Sequence, residues 1–261
     1  MKMTEELNKN KENPVVDMLL SRNVEETIDS ESMILETQKR VWGALKKGYE
    51  YLGVVDESDQ FLRKHVFSKL DMVVLYVDLV GSTTMALEMP SEKIAIIMSS
   101  FAQEMAAVIR QHHGYVLKFV GDAVIGYFVA EGNSLLTADN AVNCAKSMNI
   151  VIQKGINPIL NQYDYPDLMV KIGVDFGQNI VVRYGADEIN SHVDLMGPAM
   201  NIAAKIQNMA KPNQILIGSD VCKRIHPDTQ KDFQEIIWKN SEWKYRSRIS
   251  GEIYPVFEFK E

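Results

Sequence analysis

Two aspartates stand where carboxylates can do chemistry. Asp78 closes the apolar run 72–77, and Asp122 lies in the Gly121-Asp122 step between the strand-like runs 115–120 and 123–129. If these runs share one sheet, the two carboxylates converge. Carboxylates a few ångströms apart repel unless a cation sits between them. An all-oxygen donor set suits Mg2+ or Mn2+, which complete their shells with substrate phosphates. Taken singly, each residue has a plainer use: Asp78 as the cap of the next helix, Asp122 as a turn residue. After Asp78 come Gly81, Ser82 and Thr83 at the start of a helix. Unpaired N–H groups there suit a phosphate, although such a start is common. A third cluster runs from Asp194 to Lys205. Pro198 suits a first helical turn, so Asn201 and Lys205, at i and i+4, share one helix face. An amide and an ammonium so placed can hold a sugar and a phosphate, or simply form a solvated face.

The elements that must position these residues are legible as periodicities. The run 72–77 reads as a buried central strand. Ile94, Ile97, Met98, Phe101, Met105 and Val108 mark one face of a long helix, and Ala138, Ala141, Val142, Ala145, Met148 and Ile152 mark a second. The step at Gly121-Asp122 signals a hairpin. Residues 168–174 and 179–184 read as a strand pair around Gly177, 200–209 as a third helix, 214–217 as a short strand, and 243–249 and 254–259 as closing strands. The order β-α-β-β-α-β predicts an α+β fold, an α/β sandwich with a ferredoxin-like core and helices packed on one face. Residues 1–13 read as disordered and 14–68 as helical, with a break at Gly53 and 56–60 before a short helix through Phe61, Leu62 and Val66. The domain reading is therefore an N-terminal extension over 1–70, either an appendage for dimerisation or regulation or a packed lid, and a main domain over 71–261.

Composition excludes some partners. The 261 residues carry 28 Lys and Arg against 35 Asp and Glu, a net charge of -7. That argues against nucleic acid and anionic lipid as partners. No apolar run approaches the ~18–20 residues of a membrane span, the N-terminus has no signal-peptide core, and Cys144 and Cys222 lack metal-ligand spacing. The expectation is a cytoplasmic protein with two reduced thiols.

Three segments, taken together, resemble the catalytic motifs of the class III nucleotidyl cyclases, the adenylate and guanylate cyclases. They are Val74-Leu75-Tyr76-Val77-Asp78-Leu79-Val80-Gly81-Ser82-Thr83, Lys118-Phe119-Val120-Gly121-Asp122-Ala123, and Asp194 with Gly197, Asn201 and Ala203. The resemblance covers residues 70–260. It implies that Asp78 and Asp122, with the carbonyl of Leu79, bind two divalent cations, Mg2+ or Mn2+. It implies that Lys118 and Asp194 read the base, that Asn201 orients the ribose, and that a head-to-tail homodimer shares two sites. A Lys donor and an Asp acceptor complement adenine, so the reading is an adenylate cyclase converting ATP to 3′,5′-cyclic AMP and pyrophosphate. Two departures from the pattern leave alternatives: a cyclase for another nucleotide, such as a pyrimidine, or a weakly active or inactive nucleotide-binding module. Lys205 stands where the family usually has an Arg that stabilises the transition state, and Lys lacks the planar fork. Ser250-Gly251-Glu252 replaces a Lys-bearing segment, with Arg246 or Arg248 as candidate substitutes. A diguanylate cyclase is disfavoured, because Ala123 follows Gly121-Asp122.

Overall fold

The computed structural model describes residues 29–48, 53–238, 243–247 and 250–260; the expectation of disorder for residues 1–13, and that of helix for 14–28 and 49–52, lie outside them. Two helices come first, α1 (Ser30–Lys47) and α2 (Val54–Lys64). The core begins with β1 (Lys69–Leu79), α3 (Ser82–Glu88), α4 (Ser91–Gln111), β2 (Tyr115–Val120), β3 (Ala123–Val129) and α5 (Ser134–Ile150). A π-helical turn (Val151–Ile156) and α6 (Asn157–Leu160) lead to β4 (Val170–Tyr184), β5 (His192–Met196) and α7 (Pro198–Met209). The chain continues through β6 (Ile215–Gly218), α8 (Ser219–Cys222), α9 (Pro227–Gln230), β7 (Phe233–Glu235) and β8 (Val256–Phe259).

The strands form one mixed sheet in the order β2-β3-β1-β4-β6-β8-β7, with β5 also paired to β4. The apolar run predicted as a central strand is β1, which is antiparallel to both β3 and β4. Its alternate residues serve two cores. Val73, Leu75, Val77 and Leu79 meet Phe101, Met105, Ala138 and Val142 of α4 and α5. Met72 and Val74 point the other way, with Ile125 and Tyr127, against Leu62 of α2, Leu195 of β5 and Ala199, Met200 and Ala203 of α7. Helices therefore cover both faces, not the one expected. The second face is itself apolar and needs cover.

Three local expectations are corrected. The pair around Gly177 is one continuous strand, because β1 pairs with its residues 170–180 and places Gly177 opposite Met72. The hairpin partner of its second half is β5, a strand not anticipated. The polar stretch 56–60 does not break a helix: it lies inside α2, which starts directly after Gly53 at a left-handed φ of 60°. Among the described residues 243–247 there is no strand, only an isolated bridge between Arg246 and Ile253; 248–249 lie outside the described residues.

Both N-terminal helices pack on the domain body. Arg40 of α1 forks onto the buried Glu104 of α4, with Nη2 2.6 Å and Nε 3.0 Å from its carboxylate oxygens. Ser58 of α2 hydrogen-bonds the hydroxyl of Tyr127 at 3.0 Å. Among the described residues no helix is long and apolar enough to cross a membrane. Both cysteines are unpaired.

Candidate active site

The end of β1 and the tip of the β2–β3 hairpin meet. Asp78 is paired in register with Ala123, which places Asp122 beside it. The N–H of Leu79 donates to the carbonyl of Asp122 at 3.1 Å and ties the tip to the strand. Gly121 turns the hairpin at φ 60°, in the left-handed region that suits glycine. Burial, and then the charge of Asp122, hold the Asp78 carboxyl above its ordinary range; a bond from Gln207 pulls the other way. The donors to both carboxylates are neutral: Gln207 Nε2 donates to Asp78 at 3.0 Å beside the backbone N–H of Leu79, and the Ser82 hydroxyl donates to Asp122. Among the described residues no group of three or more His, Cys, Asp or Glu could hold a metal. The pair still fits a hard divalent cation by donor type, provided carbonyl and phosphate oxygens complete the shell. In the turn that follows, Ser82 is nearly buried against Asp122, while Gly81 and Thr83 are exposed.

The other predicted pair also closes. Lys118, at a bulge in β2, forms an ion pair with Asp194 of β5. The Leu195 N–H donates to the second oxygen of Asp194 at 2.9 Å. Lys118 aligns with Ile125, and Ile125 with Tyr76, so all three share a sheet face. Asp78, two residues beyond Tyr76 on β1, is on that face as well. Burial, and then Asp194, raise the Tyr76 phenol above its usual value.

Helix α7 carries the third cluster. It lies against β4 because two glycines leave room for it. A Cβ on Gly173 would be 2.3 Å from the backbone nitrogen of Gln207, and one on Gly197 would be 2.3 Å from Asn179 Oδ1. Asn201 and Lys205 are exposed, as a shared face predicts. Asn201 opens onto a cavity of about 730 Å3 that Arg246 and Tyr254 also line. The Lys205 ammonium sits 5.7 Å above the Tyr245 ring. Neither residue hydrogen-bonds Asp78 or Asp122 among the described residues: Asn201 and Lys205 lie on the exposed face of α7, and Gln207 on its buried face reaches Asp78. Sequence reasoning missed Gln207. Its signal was a polar residue beside Ile206 on the buried face of an otherwise amphipathic helix.

Residues 67–247 match the family described as the adenylate and guanylate cyclase catalytic domain. The chain belongs to that family. Cyclase domains of this family generally use divalent metal ions, bind nucleotide and work as dimers. A protein of Staphylococcus aureus named cytidylate cyclase is 29% identical over 175 residues, covering 64% of this chain and 40% of that protein. A protein of Rhodovulum sp. (strain MB263) named uridylate cyclase is 28% identical over 192 residues, covering 68% of this chain and 75% of that protein. The chain thus spans well under half of the first of these relatives. Among solved structures, the guanylyl cyclase Cya2 superposes with a TM-score of 0.63 at 19% identity, covering 74% of this chain and 93% of that one. That likeness concerns the fold.

Proposed function

We propose that this nucleotidyl cyclase, a phosphorus–oxygen lyase, converts CTP, and ATP less well, to the 3′,5′-cyclic monophosphate and pyrophosphate. The observation that carries this reading is the Lys118–Asp194 pair, a lysine donor held beside an aspartate acceptor. Cytosine and adenine each present a ring-nitrogen acceptor beside an amino donor. A lysine donor beside an aspartate acceptor fits both. Guanine and uracil present the reverse, an N–H beside a carbonyl. The relatives named for pyrimidine nucleotides favour the single ring, which moves CTP ahead of the ATP expected from the sequence.

In this reading Asp78, Asp122 and the Leu79 carbonyl hold two divalent cations, Mg2+ or Mn2+. Bound there, such ions supply charge neutralisation for the triphosphate and a lowered pKa for the ribose 3′-hydroxyl. The exposed backbone of Gly81 and Thr83 faces phosphate oxygens. Asn201 orients the ribose so that its 3′-oxygen attacks the α-phosphorus in line as pyrophosphate leaves. Lys205 brings positive charge to the phosphorus. Positioning and fixed charge do most of this work. Since Asn201 and Lys205 lie on the exposed face of α7 while its buried face meets Asp78, a head-to-tail homodimer completes each site with residues of both chains.

The test is incubation with each of the four nucleoside triphosphates and Mn2+, with products identified by mass spectrometry. Cyclic CMP as the major product supports the reading, and cyclic AMP alone restores the ATP assignment. Nucleotide binding without any cyclic product would make the chain a binding module. Mixing Asp78→Ala and Lys118→Ala chains, each impaired alone, checks the shared sites. One intact site per mixed dimer should restore activity, and no recovery argues against sharing.

A further inference from the structure

Gln207 is buried on the inner side of α7, and its side-chain amide donates to Asp78 Oδ2 at 3.0 Å. The contact is built in. Gly173 lets the helix backbone approach β4 so closely that any Cβ there would meet the backbone of Gln207 and Ala203. The residue type matters as much as the place. A lysine here would neutralise Asp78 and compete with a cation, and a glutamate would repel it. A neutral amide orients the carboxylate and leaves its charge available. Each carboxylate oxygen has two lone pairs, so the bond to Gln207 does not exclude a second partner. Ser82 does the same for Asp122, so both members of a mutually repelling pair are held by uncharged donors. Gln207 also lies six residues beyond Asn201, on the other side of the helix.

We propose that Gln207 is a positioning residue: it fixes the Asp78 carboxylate toward Asp122 so that the pair is ready for a divalent cation. This rests on the metal reading of Asp78 and Asp122 given above. Partners of metal-binding carboxylates that hold them in place typically matter roughly 10–100-fold in metal affinity.

The experiment follows uptake of Mn2+ alone by the full chain, read from the electron paramagnetic resonance signal of free Mn2+. Melting temperatures are measured alongside. Unsubstituted protein takes up Mn2+, and Asp78→Ala does not. Gln207→Met keeps the length of the side chain and removes the donor, and it should weaken uptake roughly 10–100-fold. Gln207→Met with a lowered melting temperature and unchanged Mn2+ affinity would mean a packing role only and would overturn the proposal. Unchanged uptake by Asp78→Ala overturns the metal reading and this inference together. If Gln207→Met does not fold, crystals of the unsubstituted protein grown with Mn2+ decide. The Gln207 amide still bonded to Asp78 beside the anomalous peak supports the proposal, and an amide turned away from it overturns the proposal.

Discussion

Asp78 and Asp122, at the end of β1, and Lys118 and Asp194, between β2 and β5, are neighbouring pairs with opposite electrostatics. The first pair is two like charges brought together by a hairpin; Lys171 of β4 stands opposite Asp78 and draws its carboxyl down, but burial and the charge of Asp122 outweigh it. The second is an ion pair that satisfies itself. The first is incomplete until a cation arrives, so its charge is a demand on a ligand. The second is complete without a ligand, so a base must open it and replace each half with an equivalent hydrogen bond. Affinity for metal and choice of base are thus separate properties of one sheet face. A third acid, Asp175 of β4, takes neither route. It is buried, accepts a 2.7 Å bond from the Tyr254 hydroxyl, and burial pushes it up to about 8. That direction favours its neutral form in the fold.

The largest test of this contrast removes one of the like charges. Asp78→Ala or Asp122→Ala should lose several kcal/mol of charge stabilisation, or about 10^3-fold in turnover. Product formed from CTP with Mn2+ is the readout, and wild-type turnover in both variants breaks the comparison. Lys118→Ala should instead lower kcat/KM for CTP and ATP roughly 10–100-fold, the worth of one hydrogen bond to a charged group. Its Mn2+ uptake should not change; a parallel loss would merge the two pairs into one.

The pH dependence separates them further. Asp78 lies above the ordinary carboxylate range, so protons compete with a cation for it at higher pH than for a free aspartate. Mn2+ affinity should therefore begin to fall at a higher pH than for an ordinary aspartate, as titration across pH will show. A fall confined to the ordinary aspartate range would remove the electrostatic account of the pair. The smallest effect concerns Asp175. Its folded-state value lies above its unfolded one, so the native state holds an extra proton between about 4 and about 8, and the residue costs stability increasingly across that window. Asp175→Asn should raise the melting temperature by roughly a few degrees, and more at pH 8 than at pH 5. A gain independent of pH would show that Asp175 is charged throughout.

The order of strands and helices was legible where one periodicity ruled. The run 72–77, the face of α4, that of α5 up to Met148, and the Gly121-Asp122 turn appear as read, while Ile152 falls in the π-helical turn. Where pairing overrode local signals, the reading failed. Gly177 reads as a break, but β1 runs past it in register and holds it extended. Residues 192–195 alternate polar and apolar, but over too few positions to announce β5, whose partner is the far end of β4.

By itself the sequence determined which residues stand at the end of β1, at the hairpin tip and on the outer face of α7, because turn chemistry and helical spacing are local. The tertiary structure decided which of them meet. Lys118 and Asp194 are far apart in the chain and pair only because β5 folds over the sheet. Gln207 reaches Asp78 only because a glycine lets α7 lie on β4. Neither contact has a local cause, since each depends on how closely two distant backbones approach.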